Sequence, residues 1–318
     1  MRITDLSKIV DYSEGIQRGK NFLLCKEIGY ITPWNTFSDD YKMIKSELTI
    51  VSGLTGHGKS EMVTHMGLHS ISQGAKVFMP SFELSIGELN SRIATQVSGC
   101  SPISDENYDA IGLHYRNKLH HYDEVGKPDI DNLFECSQWL VKEWGFDVFI
   151  FDNLMMMTEK EDDYNEQKAI VKRLVKFTKD NNVVTLLVAH SKKPQQKRVI
   201  GANERGYFLP DVSDIKGCSS IGQLVDNHIS VTINQEKLIA KQKHREGKML
   251  SEFDLNAMRQ GCSWIKRDKK RGNGNFFTKS LHYDERFHRL KDFESEKCKP
   301  YIDYKKLYNE NTKPEVFV

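Results

Sequence analysis

Short apolar runs alternate with longer amphipathic segments over the middle of the chain. The runs are rich in β-branched and aromatic residues, as is typical of buried strands, and they lie at 48–51, 76–83, 146–151 and 183–189. The segments between them repeat apolar residues every three or four positions and so predict helices, at 60–70, 85–97, 105–118, 129–143 and 163–180. This alternation predicts an α/β fold with a mostly parallel, twisted sheet flanked by helices on both faces.

After the last of these strands the order changes. Two further apolar segments, 229–233 and 262–266, predict strands of an antiparallel, hairpin-like meander. The basic stretch between them is expected to be an exposed insertion. The polar start of the chain contains several aromatic residues, and two interpretations stay open: an arm that packs on the core, or a loose surface tail. We therefore expect an N-terminal arm, a core domain with a C-terminal antiparallel extension, and a charged tail, at 1–45, 46–290 and 291–318.

The composition is that of a globular protein with an adequate core, at 38% hydrophobic and 28% charged residues. The 318 residues suffice for one large α/β domain with an extension. The chain has no run of about 18 apolar residues that would predict a membrane span, and its start lacks the apolar segment of a signal peptide. Six scattered cysteines without a C-x-x-C pair indicate reduced thiols rather than a zinc site. We expect a cytoplasmic protein.

Positive charge is concentrated in one region, although the net charge is only +2. Residues 189–280 hold 18 Lys and Arg against 9 Asp and Glu, a local charge of +9. The rest of the chain holds 28 against 35, a local charge of −7. Such asymmetry is compatible with a surface that binds a polyanion, although basic runs alone are more often solvated surface.

One octapeptide, Gly53-Leu54-Thr55-Gly56-His57-Gly58-Lys59-Ser60, fits the phosphate-loop pattern G-x-x-x-x-G-K-[ST] at every constrained position. It stands between a predicted strand and a predicted helix, as the motif requires. Its glycines allow backbone N–H groups to curl around phosphate oxygens, which the helix N-terminus also attracts. Lys59 is expected to reach the β- and γ-phosphates of ATP or another NTP, and Ser60 to ligate Mg²⁺. The predicted nucleotide-binding set is Gly53, Gly56, Gly58, Lys59, Ser60 and Glu61.

Three polar residues, Glu83, Asp152 and His190, each end a predicted strand. The carboxyl ends of parallel strands lie at one edge of a sheet, where open α/β sheets bind ligands. Glu83 there could position the attacking water as a general base; a surface glutamate at a strand–helix corner is the alternative. Asp152 closes an apolar strand well downstream of the phosphate loop, as a Walker B carboxylate in the Mg²⁺ sphere does. His190 is placed where it could sense the γ-phosphate.

The segment after His190 is basic and loop-like, with Lys192, Lys193, Lys197 and Arg198. A mobile basic loop beside a strand that senses the γ-phosphate could contact a nucleic-acid backbone. A solvated loop is the alternative.

In this order, the motifs resemble those of the ATPase domain of hexameric RecA-type replicative helicases, the group of bacterial DnaB, the Twinkle helicase and phage primase-helicases. The resemblance covers residues from about 28 to 290. It is carried by the phosphate loop, Ser81-Phe82-Glu83, Phe149-Ile150-Phe151-Asp152-Asn153-Leu154, Ala189-His190-Ser191-Lys192-Lys193-Pro194, and residues 214–226. It implies a RecA-like core, Glu83 as catalytic glutamate, and a His190 that couples the nucleotide state to DNA contact. Lys216 would lie in or beside a DNA-binding loop.

The resemblance also implies that Lys269 and Arg271 form a lysine and arginine finger, which reaches into the site of a neighbouring subunit. Lys266-Arg267 is a competing register for this finger. A finger from a neighbour would stabilise charge in the transition state and make hydrolysis depend on oligomer formation. Tyr283 falls where the family stacks a tyrosine on the base, whereas Ile233 stands where some members have an arginine that helps to hold it.

The implied function is that of an ATP-dependent helicase that acts, with Mg²⁺, as a homo-oligomer on single-stranded DNA at replication forks. The oligomer would be a hexameric ring, and primase, polymerase or a loader are the implied partners. No primase or collar domain is expected within the first 45 residues. A stand-alone helicase domain would suit a phage or other mobile replicon, in a bacterial cytoplasm rather than in mitochondria.

Two other classes of protein remain open. A recombinase or strand-exchange ATPase shares the fold and would form filaments on DNA without unwinding forks. A loader, adaptor or regulatory ATPase would bind a protein partner and hydrolyse ATP without DNA stimulation.

Overall fold

The chain folds around one large mixed sheet. The computed structural model describes residues 10–27, 29–99, 102–160, 163–193, 209–217, 220–271 and 275–304. The helices are α1 (Tyr12–Glu27), α2 (Lys59–Ser72), α3 (Ile86–Ser98), α4 (Asp105–Tyr115), α5 (Ile130–Trp144), α6 (Tyr164–Asp180), α7 (Ile221–Leu224), α8 (Gln235–Arg245) and α9 (Glu252–Arg259). The strands are β1 (Tyr30–Ile31), β2 (Lys42–Met43), β3 (Leu48–Gly53), β4 (Val77–Phe78), β5 (Leu119–His120), β6 (Val148–Phe151), β7 (Val184–His190), β8 (Asn227–Ile233), β9 (Ser263–Lys270), β10 (Phe277–Asp284) and β11 (Arg289–Lys291).

Within the described ranges, nine strands form this sheet in the order β11-β10-β9-β8-β3-β7-β6-β4-β5, and β1 pairs with β2. The strands from β8 to β5 run parallel to their neighbours. Strands β8 to β11 pair antiparallel. The predicted fold class, a mostly parallel RecA-like core with an antiparallel extension, is confirmed. Because β3 lies between β7 and β8, the phosphate loop that follows it emerges in the interior of the sheet edge.

Both faces of the parallel strands are buried, which explains why their sequences are nearly continuous apolar runs. Every residue of β3 and β6 is buried. On one face, Val51 and Ile150 belong to a core with apolar residues of α2 and α3. On the other face, Ile50 and Phe149 pack in a core with residues of α5 and α6. Each fully buried aliphatic side chain contributes about 1.5–3 kcal/mol, so these two layers hold the strand ends in place.

Polar caps determine where the helices near the site begin. Ser85 and Glu88 form a reciprocal capping box at the start of α3. Asp129 and Asp163 each accept two backbone N–H bonds, at the starts of α5 and α6. The cap at Ser85 ends the turn that carries Glu83. No helix in the described ranges combines the length and apolar character that a membrane span requires.

The aromatic residues of the N-terminal arm pack on the core. Trp34, Phe37 and Tyr41 are each only 1% exposed. Trp34 Nε1 donates to the Leu290 carbonyl at 2.8 Å, and the Phe37 ring stacks on Phe277 with centroids 5.0 Å apart. Of the two interpretations left open, the structure therefore supports the packed arm, which ties the parallel core to the antiparallel extension.

Two segments differ from expectation. The basic stretch between β8 and β9 folds into helices α8 and α9, and its Lys237 is buried rather than exposed. Residues 291–304, expected as the start of a tail, also pack on the domain. Ile302 is buried, Tyr301 donates its N–H to the Val97 carbonyl at 3.0 Å, and its ring contacts His65. A few apolar side chains suffice here because they fill a gap between α2 and α3, and they leave no periodic pattern in the sequence.

Candidate active site

The phosphate loop joins the interior strand β3 to helix α2 and curls tightly. Gly56 and Gly58 have φ angles of 77° and 83°, in the left-handed region that side chains rarely adopt. Gly53 permits a close approach, since a Cβ there would lie 2.3 Å from the Val231 carbonyl oxygen of β8. Helix α2 begins at Lys59, and the first N–H groups of a helix have no acceptor within it. The loop and the helix N-terminus can therefore both donate to an anion.

Lys59 is held inside the loop. Its side chain is buried, and its Nζ donates to the Leu54 carbonyl at 2.9 Å. Burial lowers the pKa of the Lys59 ammonium, and the nearby carboxylates of Asp152, Glu83 and Glu61 oppose that shift. The amine thus sits among acidic groups, next to the cradle in which the loop can hold phosphates.

Asp152 directly follows β6 and lies beside the loop. The predicted strand 76–83 ends early as a regular strand, since Pro80 has no N–H to donate, but Ser81 still bridges to Asp152. The Asp152 carboxylate accepts a hydrogen bond from Ser60. Burial raises the pKa of Asp152 to about 6, and the charge of Glu83 adds to the shift.

The pairing of Ser60 with Asp152 fits the predicted metal site. A hydroxyl and a carboxylate are hard oxygen donors, which Mg²⁺ prefers, and Mg²⁺ usually takes its remaining ligands from waters and phosphate oxygens. A carboxylate whose pKa is raised by burial lacks a compensating positive charge, and a bound cation would supply one.

Glu83, the predicted water-positioning residue, lies between two polar side chains. The Asn153 amide donates to Glu83 Oε1, and His190 Nε2 lies 3.8 Å from the same oxygen. The hydrogen bond from His190 and then that from Asn153 hold the pKa of Glu83 below its usual range, against the effect of burial. The Glu83 side chain remains 48% exposed. An ionised and accessible carboxylate of this kind can accept a hydrogen bond from a water molecule.

Asn153 is a site residue that the sequence analysis did not single out. It is 1% exposed, and its Oδ1 accepts the N–H groups of Met155 at 2.9 Å and Met156 at 3.3 Å. Its Nδ2 donates to Glu83 and lies 3.4 Å from His190 Nε2. One side chain thus holds the ends of three strand segments together. The signal was an Asn before a short apolar run, since Asn is a preferred helix N-cap.

A cleft of about 420 Å³ contains the predicted nucleotide-binding residues from Gly56 to Glu61, with Glu83, Asp152 and His190. Gly53 lies behind the loop against β8. The predicted base-stacking residue also lines the cleft: the Tyr283 hydroxyl lies 3.0 Å from Nδ1 of His288, and burial raises the pKa of Tyr283 to about 12. The structure therefore brings the predicted phosphate, metal, water and base residues into one space.

The predicted DNA-contacting residues lie around one loop. Two of them lie outside the described residues, Lys197 and Arg198. Lys192 and Lys193 are exposed directly after β7. The backbone N–H of Lys192 donates to the Asp214 carbonyl at 2.7 Å, and that of Lys216 donates to the His190 carbonyl at 2.7 Å. The two chain segments that flank the basic loop are therefore clasped together beside His190.

Lys269 and Arg271 lie at the other edge of the sheet, away from this chain's phosphate loop. Strand β9 ends beside the start of β8, whereas the loop follows the end of β3. Lys269 Nζ donates to the Gly222 carbonyl. Arg271 donates to the Gln223 carbonyl at 2.8 Å and lies 3.4 Å from Asp226. The structure does not bring these two cations to the phosphate loop of their own chain.

The competing finger register is occupied by a structural arginine. Arg267 is 1% exposed and donates to the Asp40 carbonyl at 2.6 Å and to Asn227 at 2.7 Å. Its guanidinium also lies 4.9 Å from the centroid of the Tyr41 ring. An arginine enclosed in this way cannot extend toward a neighbouring subunit, which favours Arg271.

A buried polar chain runs beneath the phosphate loop, and sequence reasoning missed it. Ser52 Oγ lies 2.7 Å from His228 Nε2, and His228 Nδ1 lies 2.5 Å from Asp268 Oδ1. Ser191 donates to Ser52 at 3.1 Å, and Asp268 accepts the N–H of Val212 at 2.8 Å. His228 is 0% exposed, so no substrate reaches this serine–histidine–aspartate series. It links the strand before the phosphate loop to both segments that flank the basic loop.

The fold and the site together define a P-loop NTPase of the RecA-like class. A family model described as AAA domain matches residues 39–196, the segment that holds the phosphate loop, Glu83, Asp152 and His190. A solved helicase ATPase domain is similar in structure, with a TM-score of 0.65 and 13% identity over 90% of this chain and 100% of that one. A DnaB-like replicative helicase, solved together with its interactions with primase, has a TM-score of 0.63 and 12% identity over 89% and 71%. The predicted resemblance to the DnaB-type ATPase domain is thus confirmed in the fold.

Proposed function

We propose that this protein is an ATP-dependent replicative DNA helicase, which hydrolyses NTP at the subunit interfaces of a ring and translocates on single-stranded DNA. The observation that carries the proposal is the division of the site between two edges of one sheet. The carboxyl edge gathers Lys59, Asp152, Glu83 and His190 in one cleft. Arg271 follows a strand that ends at the opposite edge. A second copy of the chain would complete the site.

Phosphate binding falls to the loop and to Lys59. The loop N–H groups cradle the phosphates, and the Lys59 ammonium exchanges the Leu54 carbonyl for phosphate oxygens. Ser60 and Asp152 would hold Mg²⁺, which neutralises charge on the phosphates when it is bound.

Glu83 orients the attacking water. Its low pKa keeps the carboxylate ionised at neutral pH, so it accepts a hydrogen bond from the water and takes its proton as the bond to phosphorus forms. Asn153 and His190 hold the carboxylate in this orientation. His190 also accepts the Lys216 N–H at its carbonyl, which connects the site to the basic loop.

Arg271 would complete the site of a neighbouring subunit. In a single chain, its guanidinium is bound to the Gln223 carbonyl and lies beside Asp226. On assembly it would exchange these partners for the oxygens of the neighbour's γ-phosphate, where it stabilises charge in the transition state. Hydrolysis would therefore depend on oligomer formation, in the form of a hexameric ring.

Single-stranded DNA is the proposed track. Lys192 and Lys193 are exposed beside the cleft, at the start of a region, 189–280, with a local charge of +9, and several such cations give affinity for a phosphate backbone. Primase, polymerase and a loader are proposed partners, and the cytoplasm is the proposed location. The primase proposal is supported by the DnaB-like helicase of similar fold, whose structure concerns its interactions with primase.

Unwinding of a forked DNA duplex tests the proposal. We expect wild-type protein to unwind the fork with ATP and Mg²⁺, and Lys59→Ala and Glu83→Gln to abolish unwinding. Glu83→Gln should keep nucleotide binding while hydrolysis falls by about 10²–10⁴. Glu143→Gln, on the exposed face of α5, is the matched control and should behave as wild type. Unwinding that survives the Lys59 change would contradict the proposal.

The other two classes predict different outcomes. DNA-stimulated hydrolysis that falls steeply with salt supports a helicase, because binding through several phosphate contacts releases counterions. Filaments on DNA without fork unwinding would indicate a recombinase. Hydrolysis that is insensitive to both DNA and salt would indicate a loader or regulatory ATPase.

A further inference from the structure

The end of the cleft away from Asp152 is bounded by the two-helix insertion α8–α9. The insertion leaves β8 directly beside the phosphate loop, where the Ile233 N–H donates to His57 Nδ1 at 3.4 Å. From α8, Leu238 and Lys241 line the same cleft as the loop. Because this space is continuous with the phosphate cradle, its occupant is the remainder of whatever the cradle holds by its phosphates.

The chemistry of this part of the cleft suits a nucleobase. Its lining is mainly apolar and aromatic, from Ile233, Leu238, Tyr283 and Leu290, with the ammonium of Lys241 among them. Nucleobases have flat faces that pack on apolar and aromatic side chains, and edges that carry hydrogen-bond acceptors. Leu238 is 53% exposed, so a bound base would remove apolar surface from water.

We infer that helix α8 forms the nucleobase wall of the site and sets its choice of nucleotide. Leu238 packs on the base, together with Ile233 and Tyr283, and Lys241 donates to an acceptor on the base or the ribose. The insertion thereby supplies a polar contact to the base that Ile233 cannot make. This inference rests on the proposed nucleotide binding and extends it to recognition.

The insertion is anchored firmly enough to serve as a wall. Asn234 is 0% exposed; its Oδ1 accepts the Lys237 N–H at 3.1 Å, and its Nδ2 donates to the Gly261 carbonyl at 3.0 Å. The first of these bonds caps α8, and the second ties the start of the insertion to its end. Lys243 of α8 donates to both oxygens of Asp254 in α9, at 2.8 and 2.7 Å. These bonds hold α8 at a defined distance from the loop.

Calorimetric titration with Mg²⁺-ATP and with Mg²⁺-tripolyphosphate separates base contacts from phosphate contacts. Tripolyphosphate can occupy the cradle but has no base. We expect Leu238→Ala to weaken ATP binding about tenfold, since apolar burial is lost, and to leave tripolyphosphate binding within about twofold of wild type. Lys241→Ala should weaken ATP binding about threefold, as loss of one hydrogen bond does, and change the ratio of ATP to GTP affinity.

The helix offers matched controls. Ile239 is adjacent to Leu238 and similarly exposed, at 47%, but does not line the cleft. Ile239→Ala should therefore bind both ligands as wild type does. Lys248→Ala, at the exposed end of the insertion, is the charge control for Lys241. Both Leu238 and Lys241 are accessible, so their substitution does not empty the core.

The outcomes distinguish the two levels of the argument. Leu238→Ala that weakens both ligands equally, or that weakens neither, overturns the nucleobase wall and leaves nucleotide binding in place. A wild-type protein that binds neither ligand, or a Lys59→Ala protein that binds both as wild type does, overturns the proposed function itself.

Discussion

The two edges of the parallel sheet carry the two halves of the proposed site in different states. At the carboxyl edge, Glu83 is already held by Asn153 and lies beside His190. At the amino edge, Arg271 is engaged with the Gln223 carbonyl and lies beside Asp226. One half is organised in advance, whereas the other must exchange internal partners for the phosphates of a neighbour.

The difference follows from the charges that each edge contains. Asp226 is 3% exposed and accepts the Leu48 N–H at 3.1 Å. It also lies 3.4 Å from both Lys179 and Arg271. A buried carboxylate needs such partners, and Lys179 would remain when Arg271 leaves. The amino edge can therefore release its arginine without leaving an unpaired buried charge, which suits a residue that acts only after assembly.

The largest effect is expected at the amino edge. Arg271→Ala removes the cation that we assign to the neighbour's transition state, so DNA-stimulated hydrolysis should fall about 10³-fold. Nucleotide binding to the phosphate loop should be retained, because Arg271 is remote from it. Steady-state phosphate release measures the first quantity and calorimetry the second. Arg245→Ala, exposed on α8, is the control for loss of one positive charge.

Mixing variants tests whether Arg271 acts on a neighbouring subunit. Lys59→Ala and Arg271→Ala proteins should each be inactive alone. Mixed together they should recover part of the activity, because some interfaces then pair an intact Lys59 with an intact Arg271. Full activity of Arg271→Ala alone, or no recovery on mixing, would place the finger on another residue.

A smaller effect is expected when the organised half is loosened. Asn153→Ala removes one of the two groups that hold Glu83, and hydrolysis should fall about tenfold with little change in ATP affinity. Loss of the cap at Leu154–Met157 should also cost about 1 kcal/mol of stability. The Asn153 hydrogen bond lowers the pKa of Glu83, so its removal should raise that pKa and shift the acidic limb of the rate profile to higher pH. A lower melting temperature with an unmoved acidic limb would reduce Asn153 to a structural role.

The smallest effect concerns the stability of the metal-free protein. Burial raises the pKa of Asp152 from 3.8 to about 6. The folded state therefore favours protonated Asp152, and this stabilisation is present below about pH 4 and lost as the pH rises through 6. Asp152→Asn, which stays neutral, should exceed wild type in stability by about 2 kcal/mol at pH 7.5 but not at pH 4. Thermal unfolding in the presence of a chelator measures this, and an equal difference at both pH values would contradict the assignment.

The parts of the site that the sequence predicted share a physical basis. Lys59 and Ser60 belong to one contiguous motif, and Glu83 and Asp152 each end a recognisable strand. Since parallel strands place their carboxyl ends at one edge, strand identity alone was enough to predict that they converge. Sequence reasoning extended to that point because it needed neither the strand order nor the register.

The missed residues depend on order and register. Ser52, His228 and Asp268 meet because β3, β8 and β9 are neighbours in the sheet, although the first two are 176 residues apart. The exclusion of Arg267 as the finger likewise required its burial against the Tyr41 ring. No local pattern contains this information, because it arises from packing between distant segments.

By itself, the sequence determined the α/β class, the phosphate loop, and the strand ends that carry Glu83, Asp152 and His190. These features follow from local propensity and hydrophobic period, which act over a few residues. Only the tertiary structure decided that the basic insertion forms a helical wall of the nucleotide cleft and that Arg271 lies at the opposite edge of the sheet. Those outcomes depend on which strands become neighbours, and that is set by the packing of the whole core.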